Sequence, residues 1–203
     1  MKKFVFSILL SGVCMMATAQ FKGIQVEKVD NKKKVTGTTY RIYALVTSET
    51  DQIYSVGGVK EAPAYIKSTK PFYQSPNGGN ISTQIIRKAS NDDPGVKYDS
   101  YVTIGREDNY GNQMSVFTVD FSMFEKGGDL IIEDGGWWVL PDQEQTTAGP
   151  SKRVLIMQLT TEGVVTGKVN IAGRQNLEPK ADGTPQWINI DAKGVTFSTA
   201  DAK

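Results

Sequence analysis

The chain has 203 residues, 39% of them hydrophobic and 22% charged, with 20 glycines and 1 cysteine. This is the balance of one globular domain able to bury a core without metals or disulfides. It carries no histidine, which excludes triads built on a histidine base, histidine-ligated zinc and haem, and imidazole-based pH switches.

Residues 1–19 have the form of a secretory signal peptide. Lys2 and Lys3 make a basic start, Phe4 to Met16 an apolar stretch, and Ala17-Thr18-Ala19 a small-residue cleavage site. Ser7, Ser11 and Gly12 interrupt the apolar run, which falls short of the about 20 residues that a membrane span needs. Cleavage is therefore expected after Ala19, leaving no membrane span. A lipoprotein signal would use Cys14, but Val13 stands where such signals carry a small residue. Cleavage removes the cysteine and two lysines and moves the formal charge from +1 to −1. Binding to nucleic acid by counterion release then has no electrostatic basis. The mature chain, residues 20–203, is expected to be secreted or periplasmic and to owe its stability to packing.

Beyond the signal, β-branched and aromatic runs separated by Gly, Asn, Asp and Pro clusters predict an all-β domain. In chain order the strands are Ile24–Val29, Thr38–Thr47, Gln52–Val56, Tyr65–Ser68, Phe72–Gln74, Tyr98–Gly105, Gln113–Asp120, Leu130–Glu133, Trp137–Leu140, Arg153–Thr160, Val164–Ile171 and Trp187–Ile190. The basic run Lys28–Lys34 is expected to be a solvated loop, with a polyanion contact as the alternative. In Tyr40–Val46 the alternation places Tyr40, Ile42, Ala44 and Val46 on a core face and Arg41, Tyr43 and Leu45 on the other. Arg153–Thr160 is apolar on nearly both sides, as a central strand is. Gly163 suggests a hairpin turn joining that strand to Val164–Ile171. Asn80–Ala89 and Asp120–Gly127 have the spacing of one or two helical turns. The polar C-terminal third predicts a strand and a frayed tail. So many strands call for two antiparallel sheets packed as a sandwich or jelly roll.

Three groups of residues are candidate sites. Glu107, Asp108, Asn109 and Asn112 around Gly111 supply oxygen ligands of the kind calcium takes, although their spacing is that of no EF-hand. The alternative is a plain Asx turn. Trp137 and Trp138 are adjacent, so on a strand they face opposite ways. One of them, if exposed, could stack on a sugar ring; the alternative is that both are covered. Arg41 and Tyr43, with Tyr98 or Tyr101 nearby, could form a ligand patch or a cross-strand cation and aromatic pair.

Gly37–Ala44, Tyr98–Gly105, the Gly135-Gly136-Trp137-Trp138 run and Val154–Thr161 resemble, in this order, a β domain of secreted and surface proteins in marine and Bacteroidetes-type bacteria. The resemblance spans roughly Thr36 to Asn170, implies secretion and a β fold, and brings no catalytic residues. The expected function is a secreted, non-catalytic module that binds a glycan, a surface polymer or a surface protein. The alternatives are a structural subunit of an extracellular layer or fibre, and a hydrolase built on a carboxylate pair.

Overall fold

Period-two alternation commits most of this chain to strands, and the glycine and Asx clusters decide where they stop. The computed structural model describes residues 21–200 and 202; the expected signal peptide, its cleavage site and Cys14 lie outside the described residues. The elements are β1 (Gly23–Val29), β2 (Thr38–Leu45), β3 (Gln52–Gly58), β4 (Ala64–Ser68), α1 (Arg87–Asp92), α2 (Pro94–Lys97), β5 (Tyr101–Val102), β6 (Ser115–Phe117), β7 (Leu130–Ile132), β8 (Gly135–Trp138), β9 (Arg153–Thr161), β10 (Val165–Leu177) and β11 (Gln186–Ser198). They form an all-β sandwich of two antiparallel sheets.

Sheet A has the order β1-β2-β9-β5. In β9 every residue from Val154 to Thr161 is buried, because both of its faces are covered. Val154, Ile156, Met157 and Leu159 meet the core. On the other side Gln158 and Thr160 lie beneath the helical excursion between β4 and β5, bonded to the carbonyls of Lys97, Asp99 and Tyr98. The central-strand expectation and the face assignment of β2 both hold: Ile42, Ala44 and Val46 are core, with Tyr40 packed against them.

Sheet B is a set of five rows. β3 and β4 run in the same direction along one edge of β10, pairing with Asn170–Arg174 and Val165–Lys168 respectively. β8 and β7 line up against β3 and β4 in the same broken fashion. β6 closes one side and β11 the other. Ile53, Val56, Ile66, Leu130, Ile132, Trp137, Val169 and Ile171 face inward from this sheet into the core that it shares with sheet A.

The expected hairpin between Arg153–Thr160 and Val164–Ile171 does not form: β9 belongs to sheet A and β10 to sheet B. Both edges of β9 are already taken, by β2 and β5. The chain instead crosses between the sheets, held as Thr69 and Val164 exchange backbone and side-chain hydrogen bonds. Gly163 serves close approach here, since a Cβ on it would stand 2.5 Å from the Lys70 nitrogen.

Other boundaries move for similar reasons. Phe72–Gln74 contributes one isolated bridge, to Thr161. The predicted strand at Tyr98–Gly105 shrinks to Tyr101–Val102, although the Thr103 and Gly105 amides still donate to β9. The helical stretch at Asn80–Ala89 becomes a 3-10 turn, Ser82–Gln84, followed by α1. The Asp93-Pro94-Gly95 run starts α2, with Asp93 as its cap. At the C-terminus the expected strand Trp187–Ile190 lengthens to the 13-residue β11, paired with β10 from Thr166 to Leu177 around a bulge between Val169 and Ile171.

Candidate functional site

The outer face of sheet A carries most of the chemistry. Strand register places Glu27, Arg41, Gln158 and Tyr101 side by side across all four strands. The next rank holds Gln25, Tyr43 and Leu155. Gln158 is fully buried and orients the first rank: its Nε2 donates to the Lys97 and Asp99 carbonyls, and its Oε1 accepts from Arg41 Nε at 3.3 Å. Arg41 Nη2 then reaches Glu107 Oε2 at 2.5 Å. Burial alone would lower the Arg41 guanidinium, yet Glu107, Tyr101 and Tyr43 together hold it above its ordinary value. Burial is also the main cause raising the Tyr43 and Tyr101 phenols above theirs.

Beside these ranks opens a recess of about 300 Å³ lined by Tyr43, Arg106, Glu107, Glu144, Gln145 and Arg153. Two loops form its wall, and buried Gln145 ties them together: Nε2 donates to the Ile104 carbonyl at 2.8 Å and Oε1 accepts from the Gln113 amide at 2.9 Å. Gly105 is required twice over. Its φ of +70° is left-handed, and a Cβ would stand 1.8 Å from the Gln145 carbonyl oxygen. Arg106 Nη2 meets Glu144 Oε2 at 2.8 Å. Arg153 meets Glu27 at 2.5 Å and lies over the Tyr43 ring, 4.0 Å from its centroid.

The eight expected site residues separate into four places. Arg41, Tyr43 and Glu107 come together here, but the cation stacked on Tyr43 is Arg153. Of the two tyrosines expected near Arg41, Tyr101 shares its rank. Asp108, Asn109 and Asn112 form the adjoining loop, with oxygens turned to internal donors. Asp108 accepts from Arg87 and from the Tyr110 amide. Asn109 Oδ1 accepts from the Arg87 amide, and Asn112 Oδ1 accepts from Met114 and Gln145. Glu107 and Asp108 thus point to different arginines, and among the described residues no group of three or more acidic or cysteine side chains gathers as a metal site.

Trp137 is fully buried, its Nε1 donating to the Thr103 carbonyl at 2.9 Å. It is core, and the expectation of it as an exposed ring is corrected: its partner across the ladder is Val56, an inward position. Trp138, half-buried, faces out from sheet B in a rank with Ser115, Ser55 and Ala172. Next to it lies a shallow recess of about 140 Å³ with Phe117, Gly57, Gly135, Asn170, Asp191 and Lys193 around it.

Sequence reasoning missed Arg106, Gln145, Glu144 and Arg153. The only local signal was that Arg153 opens the central strand on the same face as Leu155; the rest converge through loops 40 residues apart in the chain, as the 38-residue separation of Arg106 from Glu144 illustrates. No protein-family model, curated protein or solved structure matches the chain.

Proposed function

We propose that this chain is an exported, non-catalytic binding module whose recess on sheet A takes a carboxylate-bearing glycan or surface polymer. One observation carries this reading. In the lining of the recess the Arg106 and Arg153 side chains are 31% and 26% exposed, whereas Glu107 and Glu144 stand at 53% and 89%. The cations are the more buried members and the anions the more exposed. Arg106 gives Glu144 only Nη2, and its shielded Nε has no acceptor. A ligand carboxylate seated deeper than Glu144 would complete the two-bond contact that a guanidinium edge supports. Because Arg153 already covers the Tyr43 ring, recognition here is ionic and does not rest on ring stacking.

Calorimetric titration with oligogalacturonates, against neutral cello-oligosaccharides, tests the proposal. The acidic ligand is expected to bind with an affinity that falls with salt, and Arg106→Gln to weaken it by about ten-fold. Equal binding of the neutral sugar, or an unaffected R106Q variant, would end it. Export is checked by N-terminal sequencing of protein recovered outside the cytoplasm, which should begin at Gln20.

The free edge of β11 favours a second function, assembly with further copies by strand addition. Its bulge at Gly194, with Asp191 and Lys193 beside it, discourages such pairing, which leaves Gln186–Ile190 as the open stretch. Light scattering behind size exclusion separates the two: growth in mass with concentration supports assembly, and a monomer at micromolar concentration excludes it.

A further inference from the structure

We infer that the loop joining β1 to β2, residues 30–37, is a second binding site, separate from the recess, for an acidic polysaccharide. Three features of its construction point there. First, the loop is locked. Asn31, only 7% exposed, donates to the Gly37 carbonyl at 2.9 Å and accepts from the Lys33 amide at 3.0 Å, while Asp30 accepts from the Lys32 amide at 2.8 Å. A backbone bond from Lys34 to Asn31 completes the turn.

Second, Lys32 and Lys33 both have left-handed backbone, with φ of +52° and +56°. Glycine or asparagine takes this conformation at lower cost. Two consecutive lysines there stand on a backbone conformation that their residue type disfavours, the pattern in which strain marks a working segment.

Third, the charges are unanswered. Lys28, Lys32, Lys33 and Lys34 are exposed, and among the described residues the lysines with a carboxylate in reach are Lys60 and Lys193. Two clefts share Lys33 as a wall, one of about 470 Å³ with Lys34 and Tyr73 and one of about 550 Å³ with Lys28 and Asn31.

A rigid tip with clustered amines and no counterions suits a flexible chain bearing one anion per sugar. Duplex DNA calls for a basic stripe over a wider face than this one loop, and its binding is an outcome of the test.

The test is surface plasmon resonance of the protein produced from its full-length gene, on immobilised polygalacturonate, dextran sulfate, neutral dextran and duplex DNA at low and moderate salt. Dextran sulfate or polygalacturonate is expected to bind and neutral dextran not to. The triple variant Lys32→Gln, Lys33→Gln, Lys34→Gln should lose about ten-fold in affinity for dextran sulfate and flatten the log–log salt slope by about one per lysine removed. The variant Lys32→Gly, Lys33→Gly should lose binding while its melting temperature rises, because glycine relieves the left-handed backbone. Arg106→Gln reports on the recess and should leave dextran sulfate binding intact, so the two sites fail or survive independently. Undiminished binding of dextran sulfate by the triple variant, or tighter binding to DNA than to either acidic polysaccharide, would overturn the inference.

Discussion

The two outer faces of the sandwich are built from similar residues and treated differently. On sheet B, half-buried Trp138 faces out and exposed Phe117 borders a shallow recess with Gly57 and Gly135 in its lining, and the ion pair at its edge, Lys193 with Asp191, is 3.8 Å long between two exposed side chains. On sheet A the charged side chains have a second layer behind them: buried Gln158 orients Arg41, and buried Gln145 fixes the loop that carries Arg106. Burying an amide is unfavourable unless each of its polar atoms is partnered. Where the chain spends buried amides on aiming surface cations, it fixes the geometry of a recess. Where it does not, an aromatic ring on a sheet is simply part of the surface.

Breaking the support of sheet A should cost more than altering the face of sheet B. The largest effect is expected from Gly105→Ala, which combines a left-handed backbone with a clash against the Gln145 carbonyl; a loss of about 3 kcal/mol or more should appear as a fall of about 10 °C in melting temperature. Gln158→Leu comes next, because it strands the carbonyls of Lys97 and Asp99. About 2 kcal/mol of stability should go, together with binding of acidic ligand, read by chemical denaturation and titration on the same sample.

Asp99 sharpens the comparison through pH. It is buried beneath the Ser75–Gly79 loop, and burial raises its carboxyl from 3.8 to about 6 despite amides donated by Ser75 and Gly79. A carboxyl whose folded value exceeds its unfolded value stabilises fully below the unfolded value, and that contribution is lost as pH rises through the folded one. The melting temperature of wild type relative to Asp99→Asn should therefore fall as pH rises from about 4 to about 7. A constant gap would mean that Asp99 does not titrate in this window. The smallest effects belong to the other face and the loop. Trp138→Ala should leave oligogalacturonate binding unchanged and cost about 1 kcal/mol in thermal unfolding. Millimolar calcium should leave the melting temperature where EDTA leaves it, since the oxygens of Asp108, Asn109 and Asn112 already have protein donors.

Much of the fold was legible because it depends on local alternation. Doubly apolar Arg153–Thr161 had to be an interior strand, and the two faces of β2 followed from period two. The partner of β9 was not legible, because a glycine after Thr-Thr-Glu marks a bend equally well whether the chain folds back or crosses to another sheet. Adjacency told that Trp137 and Trp138 face opposite ways, but the inward one is chosen by the pairing of Trp137 with Val56. For the recess, Arg41, Tyr43 and Glu107 were singled out one by one. Their meeting depends on register between strands 117 residues apart, as in Arg41 with Gln158, and nothing local carries that information. The basic loop was the reverse case: its charge was plain in the sequence, and its left-handed backbone was not.

The order in which the strands are made has its own consequence. β9 is the strand that joins the β1–β2 hairpin to β5 in sheet A, and β10 joins β3, β4 and β11 into sheet B; both lie in the last third of the chain. Until Thr161 has left the ribosome, β1 and β2 are an isolated hairpin, and such hairpins have little stability in water. Closing sheet A then requires contacts across more than half the chain, the kind of topology that folds slowly. The molecule is therefore expected to complete synthesis before its sandwich can form, and to spend that interval as an open chain.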